Sequence, residues 1–168
     1  HIARIEKMSW RDVLIALREA GLDTMPGGGA ETFSAAVREK IAGKKLAGAD
    51  YIGVHRAAHE LGIRSNCTML YGHIETEEDR VDHLVRLRDV QDQTGGFQTF
   101  IPLAFHPDNT ALSHIPKTTG YDDLRNIAVA RLMLDNIPHI KAYWVMMTPE
   151  IAQIAQRFGA DDLDGTIV

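Results

Sequence analysis

Hydrophobic and polar positions alternate between two periodicities along this chain. Stretches with apolar residues three or four positions apart, the spacing of an amphipathic helix, are separated by short apolar runs typical of buried strands. The pattern predicts helices at residues 10–20, 30–41, 50–61, 76–94, 119–136 and 148–158, and strands at residues 22–25, 65–70, 97–105, 140–145 and 163–168. Strands separated by helices indicate βαβ crossovers and a parallel sheet.

Local signals set several of the element boundaries. Thr76 with Asp79 three residues later forms a capping-box pattern, and Gly95 follows the same helix where a left-handed residue is favoured. Pro149 suits the first position of the last helix, since its missing N–H costs nothing there. Pro102 cannot donate to a ladder and is expected to mark an irregularity in its strand, or the upper end of that strand.

Two architectures could use this pattern: a five-stranded doubly wound sheet, or part of an eight-stranded barrel. The sequence begins on a helix and stops inside an apolar strand, which favours the barrel. We therefore predict an α/β fold in which residues 1–168 form one domain, the later portion of a TIM-type barrel with about five parallel strands and outer helices. Exposed sheet edges would invite self-association or pairing with the missing barrel half.

Composition narrows the class of partner. The chain has 168 residues and a net charge of −5 without a basic run, which argues against a nucleic-acid surface. No apolar stretch approaches the roughly 20 residues needed to cross a bilayer, and no signal peptide pattern opens the chain, so we expect a cytoplasmic protein that binds a small molecule. The single cysteine, Cys67, excludes an intrachain disulfide.

Ligands of both architectures bind beyond the carboxyl ends of the strands, so the loops there are the candidate sites. Three glycines, Gly27, Gly28 and Gly29, precede Glu31 and lead directly into a predicted helix. Glycines let a backbone come close to a ligand, and free N–H groups at a helix start attract anions. A tight strand-to-helix turn, with Glu31 complementing the helix dipole, explains the same residues equally well.

Three further loops carry reactive or apolar side chains. A phenol, an imidazole and a carboxylate cluster in the segment after the second strand, which contains Tyr71, Gly72, His73 and Glu75. They could hold substrate or exchange a proton, or the histidine could be hydrogen-bonded only to stabilise the turn. His106 and Asn109 open a segment of about fifteen residues without periodicity, typical of a lid. Tyr143, Trp144, Met146 and Met147 could wall a cavity, or simply fill the barrel.

Metal sites are weakly supported. His55 and His59 share a helix face, but the run HRAAH lacks the glutamate of a zinc protease helix and lies away from the strand ends. A metal-dependent hydrolase would need His73, His106 and His139 to converge, and His139 precedes its strand, on the opposite end of the barrel. We therefore predict no metal ligands in this chain.

Several runs resemble a known family. The runs PGGGAE (26–31), AHELGI (58–63), TMLYGHIET (68–76), LRDVQDQTGGFQTFIPLAFHPDNT (87–110), RLMLDNIPHIKAYW (131–144) and FGADDLDGT (158–166) resemble aminofutalosine synthase, a radical S-adenosylmethionine (SAM) enzyme of menaquinone biosynthesis. Dehypoxanthine futalosine cyclase and the deazaflavin synthases share its plan. Lys141 and Tyr143 favour the aminofutalosine synthase form over the cyclase, which typically has Gln and Ser there, and FHPDNT favours the menaquinone enzymes.

The resemblance implies a radical-SAM barrel and a chemistry. A 4Fe-4S cluster, held by a CxxxCxxC loop after the first strand, would cleave SAM, and the resulting 5′-deoxyadenosyl radical would add to 3-[(1-carboxyvinyl)oxy]benzoate to give aminofutalosine. The cysteine loop and the first three strands are not in this sequence, and Cys67 alone cannot supply the three thiolates. We therefore expect the isolated chain to be inactive, the fragment of an enzyme or a non-catalytic half-barrel.

Residue roles follow from the same resemblance. Residues 27–29 and Glu31 would lie near the methionine or ribose portion of SAM. His73 would be the catalytic residue, the polar group nearest the reacting centre. The remaining candidates would bind substrate, the last two from the lid: Tyr71, Gly72, Glu75, His106 and Asn109.

Overall fold

A sheet of parallel strands forms the framework of the fold. The computed structural model describes residues 1–165, and within them the strands are β1 Thr24–Met25, β2 Arg64–Tyr71, β3 Phe97–Ala104, β4 His139–Tyr143 and β5 Asp162–Asp164. Their order across the sheet follows the chain, and every neighbouring pair is parallel. A doubly wound sheet would reverse its order at a switch point. The sheet is thus a curled half-barrel, and the predicted later part of a TIM-type barrel is confirmed.

Helices occupy the connections between these strands. In the described part of the chain they are α1 Ile2–Glu6, α2 Trp10–Glu19, α3 Ala35–Ala42, α4 Gly48–Glu60, α5 Glu77–Thr94, α6 Gly120–Met133, α7 Trp144–Met147 and α8 Pro149–Ala155. The apolar faces of α5 and α6 pack on the outer face of the sheet, where Leu84, Leu87 and Ile127 are fully buried. This layer is the hydrophobic core, so the inner face of the sheet is left for other contacts.

Capping hydrogen bonds form at the starts of the two longest helices. The Thr76 side chain accepts a hydrogen bond from the Asp79 N–H, and the Asp79 carboxylate accepts one from the Thr76 N–H. Thr119 and Asp122 form the same reciprocal pair at the start of α6. Gly95 ends α5 at φ 60°, in the left-handed region that favours glycine. α5 therefore has the bounds predicted from the sequence, whereas α6 begins where predicted but ends at Met133, three residues before the predicted end.

The helix predicted at residues 30–41 begins later, at Ala35. Glu31 has a φ of 51°, which a right-handed helix does not allow. The Arg38 guanidinium binds the carbonyl oxygens of Gly29, Ala30 and Thr32 and so holds this stretch as a loop. The prediction that the glycines lead directly into a helix is therefore wrong, and their backbone N–H groups do not form a helix start.

The fourth strand ends earlier than predicted. β4 stops at Tyr143, because Trp144–Met147 turns into the short helix α7. The last strand covers Asp162–Asp164, and residues 166–168 of the predicted strand lie outside the described residues. Pro102 pairs regularly with Met69, and the irregularity of this ladder lies instead between Ser65 and Asn66. β3 pairs with β4 only as far as Phe100, so the missing N–H of Pro102 breaks no ladder bond.

Candidate functional site

The candidate loops share one rim of the half-barrel. All strands are parallel, so their carboxyl ends lie at the same edge of the sheet. Residues 26–31 follow β1, residues 72–75 follow β2, residues 105–109 follow β3 and α7 follows β4. His139, in contrast, is the first residue of β4 and bonds Asp161 at the opposite edge. The three histidines required for a hydrolase centre therefore do not converge.

A cavity of about 550 Å³ opens on the inner face below this rim. Side chains of four strands project into it, and the glycine loop and the segments after β3 and β4 close its upper part. The lining residues are Pro26, Gly27, Gly28, Asn66, Thr68, Ile101, Leu103, His106, Tyr143, Val145, Met146 and Asp164. The wall is mostly apolar with a few polar groups, as in sites for small organic ligands.

Alternation along the strands selects these wall residues. Asn66 and Thr68 of β2 point into the cavity, whereas Cys67, Met69 and Tyr71 point into the helical layer and are fully buried. The sequence-based prediction concentrated on loops and missed Asn66 and Thr68. A signal was present, since polar residues two apart in an otherwise apolar buried strand indicate a solvated or ligand-facing side.

The glycine loop lies directly against β2. A Cβ atom on Gly27 would come 2.4 Å from the carbonyl oxygen of Asn66, so no larger residue fits there. The Gly27 carbonyl accepts hydrogen bonds from the hydroxyls of Tyr51 and Thr68, both 2.8 Å long. Gly28 has open space around it and lines the cavity. The loop thus presents bare backbone to the cavity, where a ligand could come close to it.

The other two residues of this loop lie elsewhere. Neither Gly29, at φ 98°, nor Glu31 is among the cavity-lining residues. The Glu31 carboxylate pairs with Lys45, and the Glu31 carbonyl accepts a 2.8 Å hydrogen bond from the Leu70 N–H. The structure therefore brings Gly27 and Gly28 to the cavity, and contact of Gly29 and Glu31 with a cosubstrate stays a prediction.

Glu75 organises the segment after β2. Its carboxylate is buried and accepts hydrogen bonds from the N–H groups of Gly72 and His73, at 2.6 and 2.8 Å, and from the Arg80 guanidinium at 2.8 Å. Burial alone would raise the pKa of Glu75, but the contacts with His73, the Gly72 N–H and Arg80 outweigh it and lower that pKa to about 2. Glu75 is thus an ionised group that fixes the turn.

The imidazole of His73 is occupied by protein groups. Its Nε2–H donates to the Leu70 carbonyl at 3.1 Å, and its Nδ1 lies 2.8 Å from both the Ile74 N–H and a Glu75 oxygen. A neutral ring accepts from Ile74 at Nδ1, and a charged ring donates to Glu75 instead. Either way the ring is buried and is not on the cavity wall. The catalytic role of His73, like substrate binding by Gly72 and Glu75, stays a prediction.

Tyr71 faces the helices. Its hydroxyl donates a 2.7 Å hydrogen bond to Asp123 of α6, and the Arg80 guanidinium lies 5.4 Å from its ring centre. Burial raises the pKa of the Tyr71 phenol, and the neighbouring Asp123 carboxylate raises it further. Burial also raises the pKa of Asp123. The structure therefore places Tyr71 in a buried polar contact away from the inner cavity, and its contact with substrate stays a prediction.

His106 and Asn109 are exposed on the segment after β3. The His106 Nε2–H donates a 2.8 Å hydrogen bond to the Met146 carbonyl, which ties this segment to α7. His106 also borders a second cavity of about 430 Å³ between α6 and α7. Asn109 has a φ of 60° and does not line either cavity. Of this pair, only His106 lies at the mouth of the inner cavity.

The second half of the sequence is similar to a family of known proteins. Residues 94–168, which hold β3 to β5 and the His106 segment, match the family model of the CofH/MqnC C-terminal region. The match includes the inner walls contributed by β3 and β4. The matched residues therefore supply about half of the cavity wall, and the glycine loop and β2 supply the other half.

The whole chain is similar to proteins named aminodeoxyfutalosine synthase. It is 58% identical to the one of Thermus thermophilus, with 100% of this chain and 46% of that relative covered, and 45% identical to the one of Streptomyces coelicolor, with the same coverage. A cyclic dehypoxanthine futalosine synthase of Streptomyces coelicolor is 42% identical, with 97% and 41% covered. The resemblance found in the motifs is confirmed, and the chain spans about half the length of these relatives.

No helix in residues 1–165 is long and apolar enough to cross a membrane. In the same residues no group of three His, Cys, Asp or Glu side chains is arranged to hold a metal ion. His55 and His59 instead share one buried partner: Nδ1 of His55 and Nε2 of His59 each lie 2.8 Å from the Ser65 hydroxyl. This pair is a structural hydrogen-bond network at the amino end of β2.

Proposed function

We propose that this chain is the carboxyl-terminal half of a radical SAM transferase that makes aminodeoxyfutalosine from 3-[(1-carboxyvinyl)oxy]benzoate in menaquinone biosynthesis. The observation that carries the proposal is the 58% identity, along the whole chain, to a protein named aminodeoxyfutalosine synthase. The identity to a cyclic dehypoxanthine futalosine synthase is lower, at 42%. We also expect the enzyme to act in the cytoplasm, where its substrates are small molecules.

The cavity supports this proposal by its shape and lining. Ile101, Leu103 and Met146 offer an apolar wall to an aromatic acid, and Asn66 and Thr68 offer hydrogen bonds. The bare backbone at Gly28 allows close approach of a polar cosubstrate. SAM, when bound, supplies the 5′-deoxyadenosyl radical that adds to the substrate. The residues of this chain would bind and orient the two ligands and keep water away from them.

The residues of this chain do not fit a 4Fe-4S cluster. Such a cluster takes cysteine thiolate ligands, three of them in a CxxxCxxC loop, and the chain has one cysteine. Cys67 is fully buried on the outer face of β2, with its Sγ 3.6 Å from the Thr99 carbonyl. Burial raises the pKa of the Cys67 thiol, which opposes the thiolate form that a metal needs. We infer that another part of the barrel holds the cluster.

We therefore propose the other half of the barrel as the partner of this chain, and inactivity of the chain alone. The inner face of the sheet carries the cavity-lining residues, and its edges are β1, paired at only two positions, and β5, paired at three. A closed barrel would cover both edges and complete the cavity. Self-association of two copies would cover the same edges without supplying the cysteines.

A chimera tests the proposed function. Residues 1–168 are fused behind the amino-terminal part of the Thermus thermophilus relative, which this chain does not match, and the protein is reconstituted anaerobically with iron and sulfide. We expect cluster absorbance, SAM cleavage to 5′-deoxyadenosine, and aminodeoxyfutalosine formation from 3-[(1-carboxyvinyl)oxy]benzoate. Residues 1–168 alone are the control and are expected to give no product.

Two results would overturn the proposal. A folded chimera that cleaves SAM and converts dehypoxanthine futalosine, but not the benzoate, would assign the chain to the cyclase. Turnover by residues 1–168 alone would show that the other half of the barrel is not required.

A further inference from the structure

Arg38 of α3 is a buried charge whose partners are all main-chain carbonyls. Its side chain makes five hydrogen bonds: Nε to Leu46 (2.9 Å), Nη1 to Thr32 (3.1 Å) and to Ala30, and Nη2 to Gly29 (3.0 Å) and to Leu46. A guanidinium has five N–H donors, so each donor has an acceptor. The residue is only 5% exposed. Burying a charge without a paired carboxylate is costly, so these carbonyl contacts must be well formed.

The carbonyls bound by Arg38 belong to the glycine loop and to the segment before α4. Three of them, from Gly29, Ala30 and Thr32, come shortly after Gly27 and Gly28, which line the inner cavity. The fourth, from Leu46, ties the loop to a separate segment. Glu31, within the same stretch, is held at a φ of 51°. A left-handed non-glycine residue persists only where its surroundings fix it.

The loop is therefore held at two places with Gly28 between them. On one side the Gly27 carbonyl accepts from Tyr51 and Thr68, and Gly27 itself lies flush on β2. On the other side the planar Arg38 guanidinium, whose N–H groups form a fork, holds residues 29–32 by their carbonyl oxygens. A Cβ built on Gly28 would meet no atom within 4 Å, so no packing on that side of the residue helps to hold the loop. Its backbone conformation at the cavity depends on the two anchors.

We propose that Arg38 is a positioning residue for the cosubstrate: by holding the carbonyls of residues 29, 30 and 32, it sets the backbone of Gly27 and Gly28 that faces SAM in the inner cavity. This inference rests on the proposed function, because it takes SAM as the ligand of the loop. A lysine cannot replace the arginine, since an ammonium has three donors and lacks the planar fork that spans two segments.

The test compares two arginines in the chimera. Arg38→Lys removes the fork at the rim. Arg131→Lys is the matched control, because Arg131 also donates to main-chain carbonyls, those of Gly159 and Ile137, but at the opposite edge of the sheet. Equilibrium binding of SAM is measured by titration calorimetry, and hydrogen exchange of residues 26–33 is measured with and without SAM.

We expect Arg38→Lys to weaken SAM binding about tenfold or more, a change of about 1.4 kcal/mol, and to speed exchange of residues 26–33. Arg131→Lys is expected to lower the melting temperature about as much as Arg38→Lys does, but to leave the affinity for SAM unchanged. If Arg38→Lys does not fold, Gly29→Ala serves instead: open space surrounds Gly29, but alanine is strained at its φ of 98°, so its carbonyl should leave the fork.

The outcomes separate the two proposals. A chimera that does not bind SAM contradicts the proposed function and this inference with it. A chimera that binds SAM while Arg38→Lys, or Gly29→Ala in its place, binds it equally well overturns only the positioning role. Equal losses of affinity in Arg38→Lys and Arg131→Lys would reduce Arg38 to a contributor to stability.

Discussion

The backbone of Gly27 touches the backbone of Asn66: a Cβ on the glycine would come within 2.4 Å of the Asn66 carbonyl oxygen and 2.7 Å of the Cα of the next residue. The contact joins the loop after β1 to the middle of β2. Neither backbone atom can move aside as the end of a flexible side chain could. Gly27 therefore sets how closely the loop lies on the strand.

Gly27→Ala is expected to destabilise the chimera by about 1–3 kcal/mol, the usual cost of overpacking, because the loop must lift off β2. The measurement is the free energy of unfolding from urea denaturation. Gly28→Ala is the control for stability and should change it by less than about 0.5 kcal/mol, since nothing lies within 4 Å of the added carbon. Equal stability of both variants would contradict the close contact.

Tyr71→Phe should destabilise the chimera by about 1–3 kcal/mol, because the buried Asp123 carboxyl loses the hydroxyl that donates to it. Thermal unfolding gives the difference. Tyr121→Phe removes the same hydroxyl from a side chain that is 73% exposed and should leave stability unchanged. If Tyr71 instead contacted substrate, Tyr71→Phe would raise the KM for the benzoate without lowering the melting temperature.

Glu75→Gln is expected to lower the free energy of unfolding of the chimera by about 1–3 kcal/mol. The amide lacks the negative charge that Arg80 and the two N–H groups of the turn after β2 bind. The pKa of Glu75 in the folded protein, about 2, lies below its ordinary value of 4.5. Its contribution is therefore present above about pH 4.5 and is lost as the pH falls toward 2. In urea denaturation between pH 7 and pH 3, the loss of stability on acidification should be smaller in Glu75→Gln than in the parent, by the share that Glu75 contributes. Glu78→Gln, at a fully exposed carboxylate, is the control.

We expect His55 and His59 to cause a second loss of stability on acidification, at higher pH than the loss caused by Glu75. Burial lowers the pKa of His55 to about 3 and that of His59 to about 4, from 6.5 in the unfolded chain. Above about pH 6.5 both rings are neutral in either state. As the pH falls further, only the unfolded chain takes up the protons, so stability declines toward pH 4.

His59→Gln should make that decline shallower, because an amide can still bond Ser65 but does not titrate. Melting temperatures between pH 7 and pH 4 give the slope. The exposed His114 is the matched position, and His114→Gln should leave the slope unchanged. A steep slope that persists in His59→Gln would assign the acid sensitivity to other groups, such as the buried His83, whose pKa is also lowered by burial.

Much of the fold followed from local signals. The capping box at Thr76 and the left-handed Gly95 indicated both ends of α5, because these contacts join residues close in sequence. The predicted start of α3 was wrong, because the contacts that keep residues 30–34 out of the helix are not local in sequence. Arg38 binds Leu46 and the glycine loop together, and no pattern within residues 30–41 reveals that contact.

The candidate site followed from the sequence only in part. Parallel strands placed Gly27, Gly28 and His106 at one rim, and the structure brings these to the cavity. The direction of a side chain at the end of a strand is harder to predict than its position. Tyr71 shares the outer face with Cys67 and Met69, so strand alternation already indicated the helical layer.

The burial of Cys67 makes the chain convenient for labelling. The thiol is the only one in 168 residues, is fully buried and has a raised pKa, so alkylating reagents at neutral pH should leave it unmodified. A cysteine introduced at the exposed Asn109 would then be the single reactive position of this half of the barrel. A fluorophore or spin label there would report directly on the movement of the segment beside the cavity mouth.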